Sequence, residues 1–575
     1  EICACLVGSE MCIRDRMKAA FCTLGCKVNQ YDTEAMRELF ENAGYEIVDF
    51  SEPADIYVVN TCTVTQTGDK KSRQMISRAH ALAPEAKIIV AGCYSQRAPE
   101  EVLALPGVSL VIGTKERTNV VELAEALQQG KKHAVSDICR EHTFEPLTVS
   151  HEGRTRAHLK IQEGCDRFCT YCIIPYARGP IRSRPLLDVR TELEKLAAAG
   201  YREVVLTGIH LMSYGRDLPE APTLLDAIAQ AEGIAGIRRI RLGSLEPQLL
   251  SDAFVHALSE NPKICRQFHL SLQSGSAGVL ARMKRRYTPQ QYFDCVRSLR
   301  AAMPECAITT DIIVGFPGET AAEFEETLAF ARTVSLARIH VFPYSRREGT
   351  KAAEMPGQLS RAVKAERAAR LGALAAELSW EYASRFVGTE QEVLFEERDK
   401  ECLAGHTGTY LRVTIPSADE ALLNRFARVR ILRAEKGELR GELISVESRD
   451  QAFNIDSKEG GKPMEPCLFC KIASGEIPSA KVYEDDDVLA FRDIAPAAPE
   501  HVLIIPKKHY DSVMQLDDDA LLARMFAAAR EIAKTCGISE SGFRLVINTG
   551  KDGGQTVGHL HMHMLGAREL GWPPG

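Results

Sequence analysis

From Met17 onward, short apolar runs alternate with segments of helical periodicity, and this alternation restricts the fold more than any other feature of the sequence. The runs "KAAFCTLGC", "ADIYVVNTC" and "AKIIVAGC" predict strands, and residues 31–44 and 70–83 between them predict helices. Strand, helix and strand in succession indicate a parallel α/β sheet, because parallel neighbours need a crossover connection.

A cysteine follows each of these three strands: Cys26, Cys62 and Cys93. The loops after parallel strands gather along one edge of the sheet, where ligands usually bind. We therefore expect the three cysteines to converge on one site. Three separate buried thiols are the alternative, since single cysteines are often buried; the repeated strand-end placement favours a site.

A second α/β region starts near His151 and contains about six strand–helix repeats. It predicts a barrel-like parallel sheet with its active site at the strand ends, closed by a helix over residues 361–384. Short alternating runs then predict a small antiparallel β-barrel, and a compact α+β unit with a helix over residues 518–536 ends the chain.

The expected organisation is therefore a multidomain α/β protein. Residues 1–16 precede Met17, form no recognisable element and are expected to be a non-native leader. The expected boundaries are 17–148 for the first domain, 149–383 for the barrel-like domain, 384–448 for the small β-barrel, 449–463 for a linker and 464–575 for the last domain.

Hydropathy and cysteine content indicate the cellular compartment of the protein. No apolar run approaches the ~20 residues of a membrane span, and the N-terminus lacks a secretory pattern, so we expect a cytoplasmic protein without membrane contact. Thiols stay reduced there, so 18 cysteines in clustered spacings indicate metal or redox chemistry.

Charge restricts nucleic-acid binding to local patches, because the formal net charge is −7. Two basic clusters are candidates, with ordinary solvated surface as the alternative for each. They are Arg178, Arg182 and Arg184, then Arg282, Lys284, Arg285 and Arg286.

The segment "EGCDRFCTYCIIPYARG" offers three cysteines, Cys165, Cys169 and Cys172, where closed zinc and ordinary iron–sulfur sites take four ligands. A missing fourth ligand leaves one metal free for a small molecule. This C-x3-C-x2-C spacing resembles the radical S-adenosylmethionine (SAM) enzymes, and it implies a [4Fe-4S] cluster whose free iron chelates SAM. An unrelated zinc loop is the alternative.

Three strand-end segments resemble the same family near its SAM and substrate sites: "TGIH", "SLQSGS" and "DIIVGFPGET". The resemblance implies that Tyr171, Gln273 and Asp311 bind SAM. For Gln273 and Asp311, the alternative is a buried structural polar group with internal partners.

The first cysteine set narrows the resemblance further. "GCKVNQYDTEAM", "NTCTVT" and "AGCYSQ" resemble the N-terminal domain of the methylthiotransferases, and the small barrel resembles their TRAM RNA-binding domain. By that resemblance, Cys26, Cys62 and Cys93 hold a second, auxiliary [4Fe-4S] cluster that carries the sulfur to be inserted. "GCKVNQ" and "TGIH" are most similar to the enzymes that methylthiolate N6-threonylcarbamoyladenosine beside the tRNA anticodon.

The resemblance also implies a reaction and its partners. One SAM methylates sulfur on the auxiliary cluster, and another yields a radical that removes hydrogen from C2 of the adenine, with electrons from a low-potential flavodoxin or ferredoxin. The TRAM-like barrel and the basic clusters would hold the anticodon loop of tRNA. Arg285→Ala and Arg286→Ala are then expected to weaken tRNA binding.

"GHLHMHML" places His559, His561 and His563 on alternate positions, so on a strand all three face one way and the apolar residues face the other. The imidazoles would then share one phosphate. Surface histidines by chance or a metal trio are the alternatives.

The last domain closely resembles the histidine-triad (HIT) nucleotide-binding proteins through "AFRDIAPAAPEHVLIIPKKH" and "NTGKDGGQTVGHLHMH". The resemblance implies that His561 attacks an α-phosphate of a purine nucleotide or nucleoside phosphoramidate. The implied supporting residues are His559, His563, Asn548, Gly554 and Thr556 at the phosphate and Asp493 at the ribose.

Some relatives bind zinc, here best matched by Cys467, Cys470, His509 and His559, and the family implies a dimer. Three alternatives stay open: a methylthiotransferase that modifies a ribosomal protein, a HIT part that binds nucleotide without turnover, and two proteins joined artificially at Met464. For the other cysteines we expect structural burial: Cys22, Cys139, Cys265, Cys295, Cys306, Cys402 and Cys536.

Overall fold

The chain divides into two compact units, Glu1–Ile455 and Asp456–Gly575. A computed structural model of the chain describes residues 16–127, 132–149, 155–417, 419–447, 467–493, 496, 498–516, 519–550, 553, 555 and 557–568. The expected leader up to residue 15 and the expected linker lie outside the described residues.

The first unit opens with a six-stranded parallel sheet in the order β2-β1-β3-β4-β5-β6. All six residues of "IYVVNT" in β3 are buried, because helices cover both faces of the sheet. The elements are β1 Lys18–Thr23, α1 Lys27–Asn42, β2 Glu46–Val48, β3 Ile56–Thr61, α2 Gln66–Leu82, β4 Lys87–Gly92, α3 Cys93–Arg97, α4 Pro99–Leu103, β5 Val108–Ile112, α5 Val120–Glu125 and β6 Lys132–Ala134.

Two helices begin four residues earlier than the sequence pattern predicts. In α1, Val28 joins the buried stripe of Tyr31 and Ala35, so the apolar face extends back to the end of the strand loop. In α2, the Thr65 hydroxyl accepts a hydrogen bond from the Gly68 amide at 3.1 Å and caps the helix.

The barrel-like region consists of two four-stranded sheets, β10-β9-β7-β8 and β11-β12-β13-β14, that follow one another at Gly243. The prediction of a parallel sheet is confirmed, except that β8 pairs antiparallel with β7. The elements are β7 Arg156–Glu163, α6 Ile174–Arg178, β8 Arg182–Ser183, α7 Leu186–Ala198, β9 Glu203–Gly208, α8 Leu224–Ala229, β10 Arg239–Leu242, β11 Ser244–Leu245, α9 Asp252–Glu260, β12 Gln267–Leu270, α10 Ala277–Arg282, α11 Pro289–Ala302, β13 Ala307–Val314, α12 Ala321–Val334, β14 Arg338–Pro343, α13 Lys351–Glu354 and α14 Arg361–Ser384.

The predicted small β-barrel is present and is closed in the order β15-β16-β17-β19-β18. Its pairs are antiparallel as predicted, except that β17 pairs parallel with β19. Along β18, buried and exposed residues alternate from Ala427 to Leu432, so that Val429 and Ile431 fill the barrel and Arg428 and Arg430 face outward. The strands are β15 Glu390–Asp399, β16 Cys402–Thr407, β17 Arg412–Ile415, β18 Phe426–Glu435 and β19 Glu438–Val446.

The second unit is an antiparallel sheet in the order β20-β21-β22-β24-β23. Met525 of the long helix packs with Ile504 and Met562 of the sheet in one buried core. The elements are α15 Leu468–Ser474, β20 Lys481–Glu484, β21 Val488–Arg492, β22 Glu500–Pro506, α16 Asp519–Thr535, β23 Phe543–Val546 and β24 Met562–Gly566.

Two further expectations can be compared with this fold. Within the described ranges, no helix is both long enough and apolar enough to cross a membrane. Of the seven unassigned cysteines, Cys265, Cys295 and Cys306 are buried, whereas the expectation of burial is wrong for Cys139, which is exposed in a short polar segment.

Candidate functional sites

The first cysteine set lies at one edge of the N-terminal sheet. Cys26 precedes α1, Cys62 follows β3, and Cys93 begins α3 directly after β4. Strands β1, β3 and β4 are parallel neighbours, so their carboxyl ends meet at this edge. Gly25 has φ +109°, and a Cβ there would lie 2.8 Å from Cys62 Cβ, so the two loops touch at a position that requires glycine.

Two thiols of this set, Cys62 and Cys93, are desolvated, whereas Cys26 is exposed. Burial raises the pKa of Cys62 to about 12, and the nearby thiols of Cys93 and Cys26 add to the rise. Burial also raises the pKa of Cys93, although the Arg178 guanidinium opposes this and donates from Nε to Cys93 Sγ at 3.2 Å. Such thiols become thiolates when a metal cluster supplies positive charge.

The second cysteine set lies in the loop between β7 and α6. The loop is held by two backbone bonds, from the Cys165 amide to the Gly179 carbonyl at 3.0 Å and from the Cys172 amide to the Cys169 carbonyl at 2.9 Å. Burial raises the pKa of Cys165 to about 11 and that of Cys172 to about 12. Cys165 and Cys172 are therefore desolvated, as Cys62 and Cys93 are in the first set.

The donor atoms of both sets fit iron–sulfur clusters better than a single metal ion. Zinc holds tetrahedral thiolates at 2.3 Å, which places their sulfurs about 3.8 Å apart. In the described part of the chain, neither cysteine set brings its three sulfurs all within 4.8 Å of one another. Three sulfurs at wider spacing suit a multi-iron cluster, for which thiolate is the preferred ligand.

A pocket of about 230 Å³ lies between the two cysteine sets. Its lining includes Val64 and Thr65, just after Cys62, and also Tyr171 and Cys172 of the second set. The three residues expected to bind SAM, Tyr171, Gln273 and Asp311, all line this pocket. Gln273 has φ +68°, and its amide donates to the Asp311 carbonyl at 2.8 Å, which fixes the backbone at this wall.

A charged group beside the second set was missed in the sequence. Glu246 follows β11 and contacts His210 Nε2 at 2.7 Å, Arg167 Nη2 at 3.0 Å and Arg285 Nη2 at 3.4 Å. Burial alone would raise the pKa of Glu246, but hydrogen bonding from His210 and the charge of Arg285 hold it below its usual value. The strand-end position of "TGIH" was a signal for His210, whereas Glu246 had no motif.

Arg285 faces this site and not a surface. Its side chain is 9% exposed, and its Nη1 donates to Cys169 Sγ at 3.3 Å. Arg282 pairs with Glu323 at 2.8 Å, so only Lys284 and Arg286 of this basic cluster are exposed. The proposed RNA contact of Arg285 is therefore wrong, because its charge is directed toward the cysteine loop.

The first basic cluster is not an RNA surface either. Arg178, Arg182 and Arg184 are at most 2% exposed. Arg178 Nη1 pairs with Asp32 Oδ2 at 2.9 Å and also with Glu163, both buried. Guanidinium groups that are consumed by internal carboxylates cannot bind phosphate, so the expectation is wrong for all three.

A group of three polar side chains lies on adjacent strands of the barrel-like region: His269 on β12, Asp311 on β13 and His340 on β14. Their ligand atoms all lie within 4.8 Å of one another. His269 Nε2 is 3.3 Å from Asp311 Oδ2, and its Nδ1 is 3.1 Å from Thr309 Oγ1. Since Asp311 also lines the pocket, this polar wall is continuous with it.

In the second unit, the histidine segment is buried. His559 is 0% and His561 2% exposed, which excludes surface histidines by chance. As expected from the alternation, Leu560, Met562 and Met564 face the core. The strand β24, however, begins only at Met562, so the first two histidines lie in the loop before it.

His561 has a defined tautomer. Its Nδ1 lies 2.6 Å from the carbonyl oxygen of His559, which only accepts, so Nδ1 carries the proton and Nε2 has a free lone pair. The ring centroid of His563 is 5.0 Å from that of His561. His563 Nδ1 in turn contacts His501 Nε2 at 2.9 Å, a partner that the sequence motif did not assign.

The expected zinc ligands come together. The ligand atoms of Cys467, Cys470, His509 and His559 all lie within 4.8 Å of one another. His559 Nε2 donates to the Pro506 carbonyl at 2.9 Å, so its Nδ1 lone pair faces Cys470 Sγ at 3.5 Å. Two thiols and two imidazoles at this spacing fit tetrahedral zinc.

The expected nucleotide-binding residues are only partly within the described chain. The Asp493 amide donates to the His501 carbonyl at 3.1 Å, and its carboxylate lies 3.7 Å from His501 Nε2, next to the histidine pair. Asn548 is described and half-buried after β23. Gly554 and Thr556 lie outside the described residues.

Four family models match successive parts of the chain. They are "Uncharacterized protein family UPF0004" over residues 18–113, "Radical SAM superfamily" over 159–331, "TRAM domain" over 384–444 and "HIT domain" over 474–570. The order agrees with the two cysteine sites, the small β-barrel and the histidine segment described above.

Some individual relatives match the part of the chain before the HIT domain, and others match the HIT domain. The "Threonylcarbamoyladenosine tRNA methylthiotransferase MtaB" of Bacillus subtilis (strain 168) is 43% identical over 438 residues, 74% of this chain and 96% of the relative. A "tRNA-2-methylthio-N(6)-dimethylallyladenosine synthase" of Thermoanaerobacter sp. (strain X514) is 35% identical over 439 residues, 74% of this chain and 92% of the relative. A solved "HIT family hydrolase from Legionella pneumophila Philadelphia 1" is 53% identical, covers 19% of this chain and 99% of its own, and has a TM-score of 0.19.

Proposed function

Because this chain belongs to the radical SAM tRNA methylthiotransferases and ends in a histidine-triad domain, we propose that it adds a methylthio group to C2 of N6-threonylcarbamoyladenosine beside the tRNA anticodon. The observation that carries the substrate is the 43% identity over 96% of a relative named for that nucleoside, against 35% for one named for dimethylallyladenosine. We assign this activity to residues 17–448 and a nucleotide-directed activity to 464–575.

The polar wall supports a polar substituent on the adenine. The threonylcarbamoyl group carries a carboxylate, whereas a dimethylallyl group is apolar and would need apolar partners. His269, Asp311 and His340 give this wall hydrogen-bonding groups, and Lys27 and Arg338 lie close enough to act on His340. These two cations offset the Asp311 carboxylate of the same wall, so that the wall can accept the carboxylate of the threonylcarbamoyl group.

We propose [4Fe-4S] clusters at both cysteine sets and SAM in the pocket between them. When bound, these groups supply the radical and the methyl transfer that side chains alone cannot. The chain's own contribution is geometric: Tyr171, Gln273 and Asp311 line the pocket together with Val64 and Cys172. Side chains that surround the reacting atoms limit the access of water to them.

RNA contact is assigned to the TRAM barrel and to the exposed Lys284 and Arg286, with a flavodoxin- or ferredoxin-type donor as the electron source. We also propose that the reaction takes place in the cytoplasm. Since the first basic cluster is buried, the TRAM surface carries more of the phosphate contact than the charge pattern implied.

The HIT domain is proposed to hydrolyse a purine nucleoside phosphoramidate. His561 Nε2 attacks the α-phosphorus, the P–N bond breaks, the amine leaves with a proton, and water then cleaves the phosphorus–imidazole bond. The His559 carbonyl orients His561. The phosphate is held by His563, Asn548, Gly554 and Thr556, and the ribose is held by Asp493. Zinc at Cys467, Cys470, His509 and His559 would fix the first histidine, and a HIT-mediated dimer belongs to the same proposal.

Nucleoside analysis tests the tRNA activity. Residues 17–575 are expressed in a bacterium that lacks its own tRNA methylthiolation, and bulk tRNA is digested and analysed by mass spectrometry. We expect 2-methylthio-N6-threonylcarbamoyladenosine, lost with Cys26→Ala and with Cys165→Ala but kept with Cys295→Ala, a buried cysteine outside both sets. Assembled clusters without any methylthio nucleoside would make a ribosomal protein the leading substrate.

Phosphoramidate turnover tests the HIT activity. The purified chain is incubated with adenosine 5′-phosphoramidate, and His561→Ala is expected to abolish AMP release while Cys536→Ala retains it. Nucleotide binding without turnover by the unaltered chain would favour a sensing module.

Expression from the natural genome, with a single transcript and a single protein band, distinguishes a natural fusion from two joined proteins.

A further inference from the structure

Arg178 connects the two cysteine sites. It is the last residue of α6, a helix of five residues that begins two positions after Cys172. Its side chain is fully buried, and its Nε lies 3.2 Å from Cys93 Sγ. Helix α6 therefore begins close to Cys172 of the second set, and its last residue contacts the Cys93 sulfur of the first set.

The guanidinium is fixed from both sides. Nη1 pairs with Asp32 Oδ2 at 2.9 Å and with Glu163, and Nη2 donates to Asn29 Oδ1. Asn29 and Asp32 belong to α1, whereas Glu163 ends β7, immediately before the second cysteine loop. With these donors engaged, the Nε–H is left to face the Cys93 sulfur.

The Cys93 sulfur lies beside a buried network of charged side chains. The buried network contains the cations Arg117, Lys160, Arg178 and Arg182 and the carboxylates Asp32, Glu145 and Glu163. Arg178 is the cation of this network that contacts the Cys93 sulfur. A buried charge is stable only when it is paired, so a thiolate at Cys93 would pair directly with Arg178.

We propose that Arg178 is a positioning residue of the auxiliary cluster, which donates a hydrogen bond to the Cys93 sulfur and thereby sets the reduction potential of that cluster. The inference rests on the auxiliary cluster of the proposed function. An N–H donated to a ligand sulfur, together with a nearby positive charge, stabilises the reduced and more negative state, and so raises the potential. Through α6 the same residue holds Cys93 at a fixed distance from Cys172.

The test measures the auxiliary cluster alone. In the full chain, Cys165, Cys169 and Cys172 are replaced by Ala, the remaining cluster is reconstituted, and its midpoint potential is measured by redox titration followed by electron paramagnetic resonance. In this background, Arg178→Gln removes the positive charge, and Arg178→Lys keeps the charge but removes the planar set of N–H donors. We expect both midpoints to become more negative, Arg178→Gln by the larger shift, at an unchanged iron content per folded chain.

Further variants keep the test decisive. Asn29→Ala leaves every charge in place but frees Nη2, and a smaller negative shift is expected even if the Arg178 variants fail to fold. Arg332→Gln, in an exposed pair with Glu377, is the control and should leave the midpoint unchanged. If the Arg178 and Asn29 variants bind iron and have the same midpoint potential as the chain that lacks only Cys165, Cys169 and Cys172, the role of Arg178 is overturned but the auxiliary cluster is not. If that chain itself binds no iron, the auxiliary cluster is overturned as well.

Discussion

Arg241 is a buried cation whose balance depends on one carboxylate. Its Nε donates to Glu203 Oε1 at 2.8 Å, and the two side chains are 1% and 0% exposed. We expect Glu203→Gln to destabilise the first unit by about 3–5 kcal/mol, because removing one partner leaves the other charge buried and uncompensated. A lower melting temperature of that unit in calorimetry is the measurement.

An exposed pair provides the control for this substitution. Glu377 and Arg332 are joined at 2.7 Å, but their side chains are 45% and 57% exposed, so water solvates either charge when its partner is lost. Glu377→Gln should leave the melting temperature unchanged. Equal shifts for the two variants would mean that burial does not decide the strength of the pair.

The stability of the first unit should also depend on pH through the carboxylate of Glu203. Burial alone would raise the pKa of Glu203, but Arg241 and Arg239 hold it below its usual value in the folded state. A depressed carboxylate pKa contributes stability above the unfolded value of about 4.3, and the contribution is lost as the pH falls through the folded pKa. Between pH 5 and pH 3, the melting temperature of Glu203→Gln should therefore fall less than that of the unaltered chain; parallel curves would contradict this.

Residue types identified the cysteines and histidines but misplaced the arginines. Cys26, Cys62 and Cys93 were found because each follows an apolar run, and strand ends meet in space by the geometry of a parallel sheet. Arg178 and Arg182 were misread as a phosphate-binding surface because their carboxylate partners come from distant parts of the chain. Pairings across such separations carry no local sequence signal.

At the scale of elements, the loop that carries the second cysteine set depends on Gly164. Its φ is +76°, and a Cβ there would lie 1.7 Å from the Pro180 carbonyl oxygen. Gly164→Ala should cost more than the roughly 1–2 kcal/mol of a left-handed residue, because the backbone must also move. Loss of iron from this loop, measured per chain in the Cys26→Ala background, is the expected result.

Gly200→Ala separates the clash from the strain. Gly200 has φ +88°, but no atom of the described residues lies within 4 Å of the position that a Cβ would take, so only the backbone preference is lost. This variant should melt slightly earlier and bind iron normally. If both variants lost iron equally, crowding at Pro180 would not be the cause.

Strands and helices followed from periodicity, and their ends did not. Helices α1 and α2 both begin earlier than the pattern predicts, since Val28 extends one buried stripe and Thr65 caps the other helix. The antiparallel β8 was missed because two residues, Arg182 and Ser183, are too few to show a period. The closed β-barrel was found because buried and exposed residues alternate along its strands.

At the scale of the whole molecule, each unit has its own core. The largest buried cluster of the first unit is formed by the barrel-like strands and their helices, and that of the second by α16 and its sheet. Two separate cores predict two separate folding events. The order of domains was predicted by resemblance, because each domain carries its own local motif.

Separation of the two units is therefore expected to leave both intact. Residues 17–448 and 464–575, produced as two chains, should each show one of the two melting transitions of the full chain, and phosphoramidate turnover by the second fragment should stay within about twofold, because each unit buries its own apolar surface. A fragment of residues 17–410 is the matched control: it lacks β17, β18 and β19, opens the closed barrel and exposes Leu403 and Phe395, so it should aggregate. Loss of either activity on separation, with both fragments folded, would mean that the units work only as one chain and would argue for a natural fusion.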